Sequence, residues 1–215
     1  MPEACVDEEE VELTLLLPCL DEASTIAAVV RKGTSALTRL GIRGEVLISD
    51  NGSKDDSVAI AESLGARVTH AETRGYGSAL LHGIAHARGR FIVMADADDT
   101  YDVEALEPFL IRLRDGADLV MGTRLSPGTM LPGANPWMHR YVGTPVLTFV
   151  LNRLFGTRIR DCNCGMRGFT KVAIRTMALK TNGMEFASEM IIKAAIHELR
   201  IDEVPVTLRL SLIHI

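Results

Sequence analysis

Through the first 123 residues, short apolar runs alternate with stretches of helical periodicity, and this rhythm restricts the possible fold more than any other feature. Residues 11–17, 45–49, 66–70, 90–95 and 118–122 read as strands, with Pro18 expected to stop the first. Residues 22–40, a segment ending at Leu64, 77–88 and 102–114 read as helices, and Ser53 with Asp56 has the spacing of a capping box. Strand–helix–strand alternation implies βαβ units. The expected class is therefore α/β: a single domain with a mostly parallel central sheet and helices on both faces.

Beyond residue 123 the rhythm breaks. Residues 124–136 contain Pro127, Pro132 and Pro136 and look too irregular for a regular element. Helices are expected at 137–155 and 186–199, and strands at 165–169 and 201–208. Charge divides at the same place: residues 1–123 hold 11 basic and 22 acidic side chains, whereas residues 124–175 hold 8 and 1, the single acid being Asp161. This basic block also holds the most apolar stretch, 141–155, a combination that suits phosphate groups or lipid headgroups. Thr144, Pro145, Thr148, Asn152 and Arg153 interrupt that stretch, which is too short to cross a bilayer but able to lie on one.

Over the whole chain, 23 basic against 28 acidic residues give a net charge of -5, the wrong sign for a dedicated nucleic-acid binder. Cysteines at 5, 19, 162 and 164 form neither a disulfide framework nor a CxxC metal pattern. Reduced thiols and a cytoplasmic location are expected, and the acidic start does not have the form of a secretory leader.

Ligands of open parallel sheets sit beyond the carboxyl ends of the strands. Asp21 and Glu22 follow the first predicted strand, Asp50 the second, and Asp96 and Asp98 the fourth. The D-x-D at 96–98 places like charges on one turn, where a hard divalent cation relieves their repulsion and bridges to phosphates. Asp99 and Asp102 suit a cap on the following helix. Gly75-Tyr76-Gly77-Ser78 opens a helix whose amides face either an anion or a closely packed neighbour. His82 and His86 have a zinc-compatible spacing but no third ligand in the sequence, and Cys162 and Cys164 read as small buried residues.

Taken in order, Pro18-Cys19-Leu20-Asp21-Glu22, Asp50-Asn51-Gly52-Ser53, Gly75-Tyr76-Gly77-Ser78, Asp96-Ala97-Asp98-Asp99-Thr100-Tyr101-Asp102, Gly122-Thr123-Arg124, His139-Arg140, the segment from Asp161 to Phe169, Met184-Glu185-Phe186-Ala187-Ser188-Glu189 and Glu203-Val204-Pro205-Val206 resemble the family 2 glycosyltransferases. These are inverting enzymes of the GT-A fold. The pattern is similar to the polyprenyl-phosphate sugar transferases, of the dolichol-phosphate mannose or glucose synthase type.

The resemblance implies a catalytic domain over residues 12–208, an acidic tail at 1–11, and a truncated or foreign end at 209–215. It implies transfer of a hexosyl group from UDP-glucose or GDP-mannose to a polyprenyl phosphate, by a protein lying at the cytoplasmic face of a membrane. Pro18, Leu20, Glu22, Asp50, Gly75, Gly77, Asp96 and Ala97 are then expected to hold the nucleotide sugar. Asp96 and Asp98 would hold Mg2+ or Mn2+, and Arg124 and His139-Arg140 would meet phosphates, with Arg167 on the acceptor side. A hydroxyl acceptor would instead require a base such as Glu189 or Asp99. The chain has no glutamine, so the QxxRW signature of processive synthases is absent. Two alternatives remain: a fragment that binds nucleotide sugar without turnover, and a haloacid-dehalogenase-type phosphatase with Asp96 as nucleophile and Asp98 as acid/base.

Overall fold

A computed structural model describes residues 11–125, 128–130 and 143–209. Seven strands form one sheet: β1 (Leu13–Cys19), β2 (Gly44–Asp50), β3 (Arg67–His70), β4 (Phe91–Met94), β5 (Leu119–Thr123), β7 (Arg167–Thr170) and β8 (Ile201–Pro205), in the order β3-β2-β1-β4-β7-β5-β8. All pairings are parallel except those of β7, which runs antiparallel to both β4 and β5. Two further strands, β6 (Thr129–Met130) and β9 (Thr207–Leu208), pair as a small separate sheet.

Period-two alternation explains the layers. Leu13, Leu15 and Leu17 of β1, with Phe91 and Val93 of β4, enter one core together with residues of α1 (Ile26–Arg39), α2 (Ser57–Ser63) and α4 (Glu107–Arg114). Leu16, Ile92 and Met94 point the other way, into a second core filled from α3 (Tyr76–His86), α5 (Thr144–Phe155), α6 (Lys171–Met177) and α7 (Phe186–Ile196). A sheet covered on both faces needs near-continuous apolar strands, which β1 and β4 supply.

Several predicted boundaries differ. Pro18 lies within β1 rather than ending it, paired in register with Ser49. Leu16 O accepts from Ala95 N and Cys19 O from Asn51 N, so Pro18 faces the β4 side, beyond the last β1–β4 pair at Leu16 and Met94. A missing N–H leaves no ladder bond unmade there. The Ser53/Asp56 capping box does not form: Ser53 Oγ accepts from Asp21 N instead, and no side chain caps α2 at Asp56. Asp99 and Asp102 do not cap α4, whose N-cap is Leu106. The segment expected to be irregular contributes β6, α6 was not anticipated, and the first seven residues of the helix predicted from 137 lie partly outside the described residues.

One buried ion pair ties β5 to the segment before β7. Asp161 has no exposure and accepts from Arg124 Nε (2.7 Å), Arg124 Nη2 (2.8 Å) and Arg124 N (3.0 Å). Breaking a buried pair strands a charge in the interior, whereas replacing both partners removes that penalty. Arg124→Met should therefore lower stability in urea unfolding by about 3–5 kcal/mol, and Arg124→Met with Asp161→Leu should lower it by less.

Candidate functional site

A cleft of about 340 Å³ opens where β1, β2 and β4 end, lined by Pro18, Cys19, Leu20, Glu22, Asn51, Arg74, Gly75, Tyr76, Ala79, Asp96, Ala97 and Asp98. Clefts of about 410 and 560 Å³ exist elsewhere, so chemistry and position rather than volume mark this one. It lies at the carboxyl edge of the parallel strands, where a βαβ sheet presents loops and helix starts to a ligand.

Three carboxylates face one another across it. Asp96 follows β4 by two residues and receives the Tyr76 hydroxyl on Oδ1 at 3.0 Å. Burial, and next the charge of Asp98, push its carboxyl up to about 6. Asp98 turns its Oδ1 to Thr100 N (3.0 Å) and Thr100 Oγ1 (2.6 Å), which fixes the turn. Glu22 is also raised, chiefly by burial and then by Asp98 and Asp96, although Thr25 opposes this. This electrostatic crowding suits a hard cation, and hard cations are commonly held through one or two carboxylates with substrate phosphates completing the shell. Among the described residues no group of three or more His, Cys, Asp or Glu side chains forms a metal site. Asp96 and Asp98 thus fit a divalent cation as a pair of oxygen ligands, not as a closed cage.

The β1 and β2 loops are stitched together around this cleft. Asp21 N donates to Ser53 Oγ (3.0 Å), Lys54 N to Asp21 Oδ1 (2.6 Å), Glu22 N to Ser57 Oγ (2.8 Å) and Ala23 N to Asp55 Oδ2 (2.9 Å). Asp50, expected among the donor-binding residues, does not line the cleft. It accepts from Gly52 N, Ser53 N and His70 Nδ1, and these bonds outweigh burial to hold its carboxyl below the ordinary range. Its neighbour Asn51 takes the cleft position, donating to Thr73 O (2.8 Å) and accepting from Gly75 N (2.8 Å).

The predicted phosphate-binding arginines fare differently. Arg124 is 8% exposed and committed to Asp161, and Arg167 is wholly buried, donating to the carbonyls of Cys164, Ala187 and Cys162. Neither lines the cleft, and both donate to partners inside the protein. Arg140 and His139 lie outside the described residues. The cation that does line the cleft is Arg74, exposed at its mouth and signalled in the sequence only by standing directly before Gly75.

Of the glycine pair, Gly75 lines the cleft and Gly77 is covered. A Cβ on Gly75 would overlap Asn182 O, one on Gly77 would overlap Thr181 O, and Ser78 N donates to Asn182 O at 3.1 Å. Close packing, rather than a waiting anion, accounts for both. The two bases considered for a hydroxyl acceptor are also engaged. Asp99 meets Lys32 Nζ through both oxygens at 2.6 Å, and Glu189 is held down to about 2, where burial is outweighed by Lys193, Thr181 and Lys180. His82 bonds Thr69 Oγ1, and its ring stacks on His86 at 4.2 Å between centroids.

Known proteins place this arrangement. The family profile described as "Glycosyl transferase family 2" matches residues 14–178. The chain is 42% identical over 196 residues to the "Low-salt glycan biosynthesis hexosyltransferase Agl6" of Haloferax volcanii, covering 91% of this chain and 47% of that protein. To the "Dolichyl-phosphate hexose transferase" of the same organism it is 32% identical over 167 residues, covering 78% of this chain and 71% of that one. The chain thus spans about half the length of the first relative and 61% of another, "Glycosyltransferase AglJ". The glucosyl-3-phosphoglycerate synthase of Mycobacterium tuberculosis, solved with Mn2+, UDP-glucose and phosphoglyceric acid, superposes with a TM-score of 0.70 at 22% identity, covering 93% of this chain and 70% of that one. That likeness concerns the fold, and agrees with the predicted GT-A architecture. With the profile spanning more than half of its residues, the chain belongs to glycosyl transferase family 2.

Proposed function

We propose that the domain transfers a hexosyl group, with inversion, from a nucleoside-diphosphate sugar to a polyprenyl phosphate, the donor lying in the cleft between the β1, β2 and β4 ends. The observation that carries this reading is the cleft itself: a half-buried Asp96–Asp98 pair at one side and Arg74 at its mouth. A divalent cation, Mg2+ or Mn2+, would supply charge neutralisation for the leaving diphosphate when bound at Asp96 and Asp98. Arg74 adds a guanidinium that suits bidentate phosphate contact. Pro18, Leu20, Glu22 and Asn51 provide the wall against which the nucleoside is placed. An acceptor oxygen attacks the anomeric carbon opposite the diphosphate, so that the new C–O bond forms as the old one breaks and the nucleoside diphosphate leaves.

The same inventory favours an acceptor that needs no base. Glu189 and Asp99 are both engaged, so a hydroxyl acceptor would find neither of them available as a base. A phosphate monoester is already anionic near neutral pH and needs no deprotonation. A relative named for dolichyl-phosphate hexose transfer favours the same choice.

A lipid acceptor also explains α5. Val146, Leu147, Phe149, Val150 and Leu154 are exposed on it, Phe149 and Leu154 at 69% and 70%. Arg153 and Arg158 are exposed near them, Arg160 meets Glu203 at 4.0 Å, and the one acid of this basic block, Asp161, is buried against Arg124. Among the described residues no helix is long and apolar enough to cross a membrane. An apolar helix face edged with arginine suits the headgroup region of an anionic bilayer. Asn163 Nδ2 donates to Thr144 Oγ1 (3.2 Å) and Cys162 N to Thr148 Oγ1 (3.2 Å), tying α5 to the segment that reaches Gly165, beside Asp96.

Thermal unfolding against UDP, GDP, UDP-glucose and GDP-mannose tests the donor site. One base should stabilise the fold only with Mn2+, by about 2.7 kcal/mol at a hundredfold excess over its Kd, and Asp98→Asn should abolish the effect. Donor binding that survives Asp98→Asn unchanged refutes the metal assignment. Arg74→Ala should weaken nucleoside diphosphate binding by about 1.5–3 kcal/mol and leave nucleoside binding unaltered. Cosedimentation with vesicles containing anionic phospholipid should be lost in Phe149→Asp/Leu154→Asp with nucleotide binding intact. Radiolabelled hexose should appear on a polyprenyl phosphate and not on the corresponding polyprenol; binding without turnover would mark a binding-only fragment.

A further inference from the structure

A carboxylate that accepts from four donor atoms stands outside the cleft. Glu189, in the first turn of α7, accepts from Lys180 N (3.0 Å to Oε2), Thr181 N (2.9 Å), Thr181 Oγ1 (2.7 Å) and Lys193 Nζ (2.9 Å). The two backbone amides and the hydroxyl belong to the loop between α6 and α7. This loop lies on the amino end of α3: Asn182 O accepts from Ser78 N, and the Thr181 and Asn182 carbonyls occupy the space that side chains at Gly77 and Gly75 would need. Gly75 is also held from the other side by Asn51 Oδ1, and its φ of 134° is open to few other residues. The first residue of α3, Tyr76, is thereby fixed between two anchors. Its hydroxyl reaches Asp96 Oδ1.

We propose that Glu189 is a positioning residue for the cation-binding carboxylate: it clamps the 180–182 loop onto α3, and through Tyr76 the clamp sets the orientation of Asp96. The inference rests on the reading of Asp96 and Asp98 as cation ligands. The physical reason is geometric. Tyr76 occupies one oxygen of Asp96 while the other lies beside Gly165, and a hydroxyl at the start of a helix holds the carboxylate's direction only if the helix start itself cannot shift. Partners that orient metal ligands from behind commonly change metal affinity tenfold or more when altered.

The test titrates Mn2+ alone into the purified chain, reading free ion by electron paramagnetic resonance, with urea unfolding measured on each variant. Glu189→Gln and Tyr76→Phe should each weaken Mn2+ binding about tenfold. The double variant should be no weaker than either single one, because both act along one chain of contacts. Thr181→Val removes only the hydroxyl that Glu189 accepts, and should weaken Mn2+ in the same direction if Glu189→Gln does not fold. A folded Glu189→Gln or Thr181→Val that binds Mn2+ like the parent overturns the proposal, as does full additivity with Tyr76→Phe, which would make Glu189 only a stabiliser of α7. Asp98→Asn separates the two layers of argument. If it leaves Mn2+ affinity unchanged, the cation reading itself falls; if it abolishes binding while Glu189→Gln does not weaken it, only the positioning role falls.

Discussion

A sheet buried on both faces can offer polar chemistry only where its strands end. β1 and β4 are apolar on both sides because helices cover both, and that leaves no position along them for a carboxylate or a ligand. β1 and β4 therefore release their charged residues together at one edge, within four residues of their last paired position. Asp96 is the sharpest product of this constraint. It is near enough to the core to lose most of its solvent and near enough to Asp98 to feel its charge. The stitched β1 and β2 loops, the tight start of α3 and the 161–165 segment all converge on the place where that strand ends.

This organising principle was legible in the sequence because periodicity reports burial directly. The five strands of the first half, the helices between them and the clustering of Glu22, Asp96 and Asp98 at one edge were all anticipated from it. What escaped notice depends on pairing across the chain. Nothing in Arg167-Gly168-Phe169-Thr170 says that it will insert between β4 and β5 in the opposite direction, since four residues encode burial but no polarity of pairing. Pro18 looked like a terminator because a proline lacks a donor, and only the sheet order shows that no acceptor waited for it there. Ser53 and Asp56 had the spacing of a capping box, but the neighbouring loop offered Ser53 a different donor in Asp21.

The same distinction separates the arginines. An arginine in a basic motif looks like a phosphate ligand in sequence, and its residue type is right for the task. Whether its donors remain available depends on distant partners. Arg124 is claimed by Asp161, 37 positions away, and Arg167 by the carbonyls of Cys162, Cys164 and Ala187. Arg74 carries no motif beyond its neighbouring glycine, yet it is the cation among the described residues lining the cleft. Glu189 illustrates the converse: an acid that residue type offers as a base is converted by five donor contacts into a structural anion.

The internal use of Arg124 and Arg167 also changes how the charge asymmetry should be understood. Of the eight basic residues in the block, Arg124 and the block's single acid, Asp161, cancel each other in the interior, and Arg167 spends its donors on backbone carbonyls. Near α5, Arg153 and Arg158 are exposed, whereas Arg160 meets Glu203 of β8 at 4.0 Å. The cleft carboxylates lie at the end of β4, and α5 is joined to their surroundings through Asn163 and Cys162. Under the proposed reading, the cation site at the end of β4 and the exposed apolar face of α5 are linked through these hydrogen bonds. In the proposed reaction donor and acceptor are both anions, so a cation held at Asp96 and Asp98 would offset the leaving diphosphate, and a phosphate acceptor would need no side chain to deprotonate it.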